Sequence, residues 1–220
     1  MADPTEESRS PDAPLPPAPA TGYRAVLPNI LTMGRVVLTA VFIVMLALAE
    51  PAAETNRDWA ISACVLFIIA AATDAADGYL ARKWNAVSKF GRIMDPLADK
   101  VLILGAFVML AGRDLGGISG VAPWMAVVIL FRELLVTTAR SVFESSGVDF
   151  SAAWSGKIKM ILQSLAVPLI LIDIAFVTDF VDAPGPLAVW SAWAATVATA
   201  VSLVPYFTRI AGLIRTPTTD

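Results

Sequence analysis

The sequence predicts an all-α, polytopic membrane protein with six transmembrane helices and both termini in the cytoplasm. Hydrophobic residues make up 57% and charged residues 16% of the 220 residues, whereas soluble domains average roughly 45–50% and about 25%. Six apolar stretches also recur after Tyr23 with short connections between them. Both observations favour a bundle of membrane-spanning helices.

The six predicted helices follow one another along the chain. They cover about residues 30–49, 59–80, 97–112, 121–139, 158–177 and 186–207, with charge-free cores at 36–49, 59–73, 101–112, 115–131, 160–172 and 183–208. Only the last core exceeds the roughly 20 residues that span a bilayer. The other five helices therefore reach spanning length only if they keep charged residues within them.

The distribution of cations predicts the orientation. If the first helix starts inside, 14 of the 16 Lys and Arg residues lie on or near the inner side, and only Arg57 and Arg113 lie outside. By the positive-inside rule this places both termini in the cytoplasm. The outer connections, 50–58, 113–120 and 178–185, are short, so residues 23–215 are predicted to form one six-helix domain.

The two ends of the chain are predicted to lie outside the bundle. Residues 1–22 hold six of the 15 prolines and four acids against the single cation Arg9, a composition typical of a disordered leader. Residues 216–220 form a short tail.

Composition also excludes several classes of function. The formal net charge of -3 provides no basic excess for nucleic-acid binding. Because the chain has no histidine, histidine general bases and phosphohistidine intermediates are excluded. Chemistry must therefore depend on carboxylates and cations.

Acidic residues lie on one face of the second predicted helix. At 100° per residue, Asp74, Asp77, Gly78 and Ala81 fall within a stripe about 60° wide, and Arg82 flanks it. The face thus combines two acids with two small residues, which let a phosphorylated ligand approach the backbone, and a cation that could pair with a phosphate.

The third helix repeats this pattern. Gly91, Asp95 and Asp99 are spaced i, i+4 and i+8 and share a face. Pro96 removes one helical hydrogen bond, so this helix is predicted to begin or kink near it. The connection at 83–90 is short enough to make the two helices antiparallel neighbours whose acidic faces can meet.

Four carboxylates meeting at membrane depth would repel one another strongly. Aspartate oxygens without histidine or cysteine neighbours suit Mg²⁺ or Mn²⁺, and four of them can hold two ions about 3.5–4 Å apart. The alternative is that each acid is a solvated helix-end residue paired with a nearby cation. The candidate cations are Lys83, Lys89, Arg92 and Lys100.

The combined pattern resembles the complete signature of the CDP-alcohol phosphatidyltransferase family. It reads Asp74-x2-Asp77-Gly78-x2-Ala81-Arg82-x8-Gly91-x3-Asp95-x3-Asp99. The resemblance implies a six-helix membrane enzyme, a homodimer, that uses two divalent ions and replaces the CMP of a CDP-linked lipid by an alcohol.

The same resemblance implies roles for individual residues. Asp74, Asp77 and Asp95 would hold one ion and Asp74, Asp95 and Asp99 the other, with Asp99 as general base. The residues expected at the CDP-lipid site are Asn29, Thr32, Asp74, Asp77, Gly78, Ala81, Arg82, Ser88 and Gly91. For Asn29 and Thr32, capping of the first helix is an open alternative.

Several further cations predict an acceptor with its own phosphate. The set is Arg35, Arg132, Arg140, Lys157 and Lys159. Cations suit an acceptor with a phosphate, whereas a choline acceptor would need an aromatic or acidic box. For Arg140, Lys157 and Lys159 the alternative role is snorkelling toward anionic lipid. Residues 131–140 and 155–163 are similar to the phosphatidylglycerophosphate synthases of the family, although Met160 stands where threonine is expected.

The resulting expectation is an enzyme of the inner (cytoplasmic) membrane whose active site faces the cytoplasm. It would transfer the phosphatidyl group of CDP-diacylglycerol to glycerol 3-phosphate, giving phosphatidylglycerol phosphate and CMP. Inositol phosphate, serine, or phosphatidylglycerol for cardiolipin are alternative acceptors, and a cation or proton transporter is a rival from another class. Aromatic residues are expected in belts at the membrane interfaces, namely Trp124, Trp154, Trp190, Trp193 and Tyr206.

Overall fold

The computed structural model describes residues 23–49, 56–84, 89–112, 115–145, 154–177 and 183–208. This part of the chain is helical and contains no strand. Its helices are α1 (Tyr23–Ala47), α2 (Asn56–Lys83), α3 (Lys89–Leu110), α4 (Gly116–Ser119), α5 (Pro123–Ser145), α6 (Trp154–Val177) and α7 (Pro186–Val201). The predicted leader at 1–22 and tail at 216–220 lie outside the described residues.

The described helices confirm an all-α chain and extend the predicted boundaries. α2 continues through Asp74 and Asp77 to Lys83, as the predicted acidic stripe required. α3 begins at Lys89 and runs through Pro96, so the prediction of a start near that proline is wrong. Pro96 is the eighth residue of α3 and lies beyond the four N-terminal N–H groups without helical partners, so it removes one helical hydrogen bond without ending the helix.

Four of the described helices contain segments long and apolar enough to cross a membrane. They are Asn29–Ala47, Arg57–Leu80, Gly156–Val177 and Pro186–Thr208. This supports a multi-pass membrane protein. The helices α3 and α5 have 22 and 23 residues, about the length of a span, but they carry charged residues and are not among these four.

The helices pack around a continuous apolar core. α1 packs on α2 and α3, α6 packs on α2 and α7, and α5 packs on α3 and α7. Phe42 and Phe67 meet with ring centroids 5.5 Å apart, and Phe107, Ile129 and Ile170 are fully or almost fully buried beside other apolar side chains. This core includes residues of all six long helices of the described structure.

Buried polar residues collect at the opposite end of the bundle. Thr32 and Arg35 lie near the start of α1, Asp77 lies near the end of α2, and Lys159 lies near the start of α6. Because successive long helices run in opposite directions, these positions fall at one level. The alternation of direction thereby gathers side chains that are far apart in sequence.

The connection at 113–120 contains a structure that the sequence did not predict. The short helix α4 ends at Gly120, whose φ of 67° lies in the left-handed region. A Cβ at Gly120 would lie 3.2 to 3.3 Å from Pro184 and Val189, so a larger residue would be strained and crowded there. This turn fixes the approach to α5 and the start of α7.

Candidate active site

The acidic face of α2 meets the start of α1. Asp77 is 2% exposed, and its Oδ2 accepts a hydrogen bond from Thr32 Oγ1 at 3.4 Å. Thr32 is also 2% exposed. This contact brings together two residues that the sequence predicted for one site although they lie 45 positions apart.

Arg35 lies between the two acids of α2. Its side chain is fully buried, its Nη1 forms an ion pair with Asp74, and its Nη2 lies 4.0 Å from Asp77 Oδ2. Asp74 is more open, with a side chain that is 44% exposed. Burial of a guanidinium requires compensation by nearby charge, and here the two carboxylates provide it.

The remaining signature residues are placed in part. Gly78 is partly buried on α2, Gly91 is buried on α3, and Asn29 is partly buried on α1. Ala81, Arg82 and Asp95 belong to the helices, but their side chains lie outside the described part of the structure, and Ser88 lies outside it altogether.

Asp99 links the acidic site to a second charged cluster. Its carboxylate interacts electrostatically with Arg35 on one side and with Glu133 and Lys159 on the other. A small cavity is lined by Asp99, Lys100, Glu133, Lys159 and Gln163 together with three apolar residues. Asp99 thus lies beside the second cluster and within electrostatic range of Arg35.

The second cluster contains a buried ion pair. Glu133 Oε1 pairs with Lys159 Nζ and accepts a hydrogen bond from Arg132 Nη1 at 2.9 Å. Lys159 Nζ also donates to Gln163 Oε1 at 3.3 Å, and Gln163 Nε2 donates to Thr199 Oγ1 at 2.9 Å. The network joins α5, α6 and α7 at the polar end of the bundle.

Arg132 and Arg140 both contact Tyr206 in the last described turn. Arg132 is 4% exposed and its Nε donates to Ser202 Oγ at 2.8 Å. Tyr206 lies below Arg132, with its ring centroid 5.5 Å from the guanidinium carbon, and its hydroxyl accepts a hydrogen bond from Arg140 Nη2 at 3.5 Å. Lys157, by contrast, is exposed and lies 5.5 Å from the ring of Trp154.

Sequence reasoning missed part of this cluster. Gln163 and Ser202 were assigned to no site. The spacing of Lys159 and Gln163, i and i+4, makes them polar neighbours on one helix face and was a signal that could have identified Gln163. Tyr206 was expected in an aromatic belt, but it is 3% exposed, whereas Trp154 and Trp190 are 78% and 74% exposed. The assignment of Tyr206 to the interface belt is therefore wrong.

The donor chemistry of the site fits hard divalent cations. Asp74 and Asp77 present carboxylate oxygens on one helix face, and a buried guanidinium already lies against them, so this position favours positive charge. Among the described side chains, no three acidic or thiol groups form a metal cluster. A complete set of ligands would require a contribution from Asp95.

Comparison with known proteins identifies the family. A sequence model described as CDP-alcohol phosphatidyltransferase matches residues 25–202. The chain belongs to this family. The match includes every residue of the acidic signature and ends before Tyr206. It also favours a transferase over the transporter that the acids alone left open, and it is consistent with divalent-metal chemistry, which is typical of the family.

Several bacterial proteins are similar to the chain over most of its length. A Bacillus subtilis protein named "CDP-diacylglycerol--glycerol-3-phosphate 3-phosphatidyltransferase" is 38% identical over 190 residues, which cover 83% of this chain and 94% of that protein. A Rickettsia felis protein of the same name is 31% identical over 177 residues, or 80% and 92% of the two chains. A Mycobacterium tuberculosis "Probable phosphatidylglycerophosphate synthase" is 35% identical over 151 residues, or 69% and 68%.

Proposed function

We propose that this chain transfers the phosphatidyl group of CDP-diacylglycerol to glycerol 3-phosphate, releasing CMP and forming phosphatidylglycerol phosphate. The observation that carries the proposal is the juxtaposition of an acidic site on α1 and α2 with an arginine pair on α5, joined by Asp99. Acids suit the activation of a pyrophosphate through metal ions, and arginines suit an acceptor that has its own phosphate. The names of the relatives agree with this reaction.

The reaction forms one phosphorus–oxygen bond and breaks another. The primary hydroxyl oxygen of glycerol 3-phosphate attacks the β-phosphorus that carries diacylglycerol, and the bond from that phosphorus to CMP breaks. In our proposal Asp99 accepts the hydroxyl proton. Its position between the two clusters supports this role, because the acceptor would lie between its own phosphate site and the CDP-lipid.

Asp74, Asp77, Asp95 and Asp99 are proposed to hold two divalent cations, Mg²⁺ or Mn²⁺. When bound, such ions neutralise the pyrophosphate and stabilise the charge on departing CMP. Arg35 would keep the carboxylates of Asp74 and Asp77 in place in their absence, and its contacts support this role. Binding of the acceptor phosphate by Arg35, expected from the sequence, stays a proposal.

The CDP-lipid is proposed to lie along the faces of α1, α2 and α3 that bear the signature. Thr32 contacts Asp77 directly, and this supports its place at the site. The other residues proposed here are Asn29, Gly78, Ala81, Arg82, Ser88 and Gly91. The small residues would leave room for the cytidine and pyrophosphate groups near the helix backbone.

The acceptor phosphate is proposed to bind at Arg132 and Arg140. Lys159 would contribute to the field around Asp99 while remaining paired with Glu133. Lys157 is exposed and could attract the anionic acceptor toward the site.

The same proposal includes the membrane topology and the assembly. We propose six spans, with α3 and α5 completing the four apolar ones, and both termini and the active site on the cytoplasmic side of the inner membrane. The charged ends of α3 and α5 would lie at the level of the polar site. A homodimer is expected from the family resemblance.

An acceptor panel tests the reaction. Purified protein in CDP-diacylglycerol liposomes with Mg²⁺ or Mn²⁺ should release CMP with glycerol 3-phosphate and far less with inositol 1-phosphate, serine or phosphatidylglycerol. Asp99→Asn should lose at least about 100-fold in kcat, the range of general-base contributions. Asp58→Asn is the matched control, because Asp58 is an exposed acid at the other end of the bundle. Preference for another acceptor, or full activity of Asp99→Asn, would overturn the assignment.

A further inference from the structure

Two guanidinium groups of α5 have buried N–H groups that lack partners. Arg132 uses its Nε and Nη1 in hydrogen bonds to Ser202 and Glu133, while its Nη2 is buried without a hydrogen-bond partner among the described residues. Arg140 Nε is also buried and unpaired there. A buried charged donor without a partner is costly, so such a pair indicates a site that a ligand completes.

Tyr206 contacts both arginines. Its ring lies against the guanidinium of Arg132, and its hydroxyl accepts a hydrogen bond from Arg140 Nη2. It is 3% exposed and belongs to the short helical stretch 204–208 that follows α7. This one side chain therefore contacts both cations.

Gly156 of α6 leaves space beside these groups. A Cβ on Gly156 would lie 3.7 Å from Arg132 Nη2 and 3.9 Å from the Tyr206 hydroxyl oxygen. The unpaired N–H of Arg132 and the phenol thus border the same small space above a residue without a side chain. Within the described cluster Arg132, Arg140 and Lys159 provide three cations, and the carboxylates of Glu133 and Asp99 oppose them.

The chemistry of this space selects a phosphate monoester. Guanidinium groups form directional, charge-assisted hydrogen bonds to phosphate oxygens, and two of them can share one dianionic group. We propose that Tyr206 is a positioning residue for the acceptor's phosphate, because it contacts Arg132 with its ring and Arg140 with its hydroxyl and so orients both guanidinium groups toward one phosphate. This inference rests on the proposed function, and it adds a residue that lies beyond the stretch matched by the family.

The test uses the full chain in liposomes and compares two substitutions. Tyr206→Phe keeps the ring against Arg132 and removes only the hydroxyl that Arg140 contacts, whereas Tyr206→Leu removes both contacts. We expect the KM for glycerol 3-phosphate to rise about tenfold in Tyr206→Phe, the effect of one hydrogen bond to a charged group. The KM for CDP-diacylglycerol and the kcat should stay within about twofold. Trp190→Phe, an aromatic change at an exposed site of α7, should leave all three constants unchanged.

Two further readouts separate positioning from a structural role. With glycerol in place of glycerol 3-phosphate, the residual rates of wild type and Tyr206→Phe should be equal, because that acceptor has no phosphate to position. Glycerol 3-phosphate should also raise the thermal unfolding midpoint of wild type more than that of Tyr206→Phe. Direct binding of this kind can be measured without turnover.

The outcomes distinguish the inference from the proposed function. If wild type uses glycerol 3-phosphate and Tyr206→Phe has the same KM for it, the inference is wrong and the function stands. Equal effects on both substrates, or on glycerol, would show a structural role and also overturn the inference. If wild type neither turns over nor binds glycerol 3-phosphate, both fail. Should Tyr206→Leu not fold, Tyr206→Phe still decides the matter.

Discussion

Replacing Arg35 by methionine should destabilise the protein strongly. The side chain of Arg35 is fully buried and compensates Asp74 and Asp77. Methionine fills a similar volume, so the packing of α1 changes little, but Asp77 would remain at 2% exposure without this positive charge. The experiment therefore isolates the electrostatic contribution of the guanidinium.

The two acids contribute unequally to the expected loss. Removing one partner of a buried ion pair costs about 3–5 kcal/mol, and Asp77 meets this condition. Asp74 has a side chain that is 44% exposed, so solvent would limit its share to less than about 1 kcal/mol. The Thr32 hydrogen bond to Asp77 persists and offsets part of the loss. We expect the free energy of unfolding to fall by about 3–4 kcal/mol, or roughly 6–15 °C in the thermal midpoint for a chain of this size.

Thermal unfolding in detergent, followed by tryptophan fluorescence with a metal chelator present, measures this loss. The double substitution Arg35→Met with Asp77→Asn should recover at least half of it, because the amide removes the uncompensated charge and can still accept the Thr32 hydrogen bond. Lys83→Met, which removes an exposed cation from α2, should change stability by less than about 0.5 kcal/mol.

The reasoning also predicts a dependence on metal. Divalent ions bound to the same acids should restore part of the stability of Arg35→Met, by about 2.7 kcal/mol at a concentration 100 times the Kd. A loss below about 1 kcal/mol for Arg35→Met, or additive effects of the two substitutions, would refute the electrostatic account.

Three other predictions follow from the site and from the opposite end of the bundle. Gly156→Ala should fold, because its Cβ would make ordinary contacts. It should raise the KM for glycerol 3-phosphate several-fold in steady-state kinetics, because the new methyl group occupies the space beside Arg132. Gly34→Ala is the control, since its Cβ would meet nothing within 4 Å. Gly185→Ala should lower the free energy of unfolding by about 1–3 kcal/mol, since its Cβ would collide with the buried carboxylate of Asp173; a thermal midpoint equal to that of Gly34→Ala would contradict this. Chelation of divalent metals should abolish CMP release, and Mg²⁺ or Mn²⁺ should restore it; activity that persists after exhaustive chelation would exclude the proposed metal chemistry.

The sequence predicted the helices well where their patterns were local. The apolar run of α2 leads directly into Asp74 and Asp77, and the two acids share a face only if the helix continues through them. α2 does run through both. The start of α3 was placed too late, because Pro96 was read as a boundary, whereas the helix continues through this proline and loses one helical hydrogen bond there. The short helix α4 was missed because its four residues contain two glycines and no periodic pattern.

The candidate site was predictable to the extent that its residues form a motif. Thr32 and Asp77 were assigned to one site by resemblance to the family, and the structure brings them into contact. Gln163 was given no role and Tyr206 belongs to no motif, because an apolar helix with an occasional polar residue gives no indication of that residue's partner. Their assignment required the contacts between helices.

The sequence by itself determined the class of the protein, the helical faces that carry the acids, and the family. These properties depend on composition and on spacing within single helices, which are fixed by the geometry of one turn. Only the tertiary structure decided that Arg35 compensates two acids of another helix, that Lys159 pairs with Glu133, and that Tyr206 joins two arginines. The physical reason is that these contacts connect residues 26 to 74 positions apart, and such distances depend on how antiparallel helices pack.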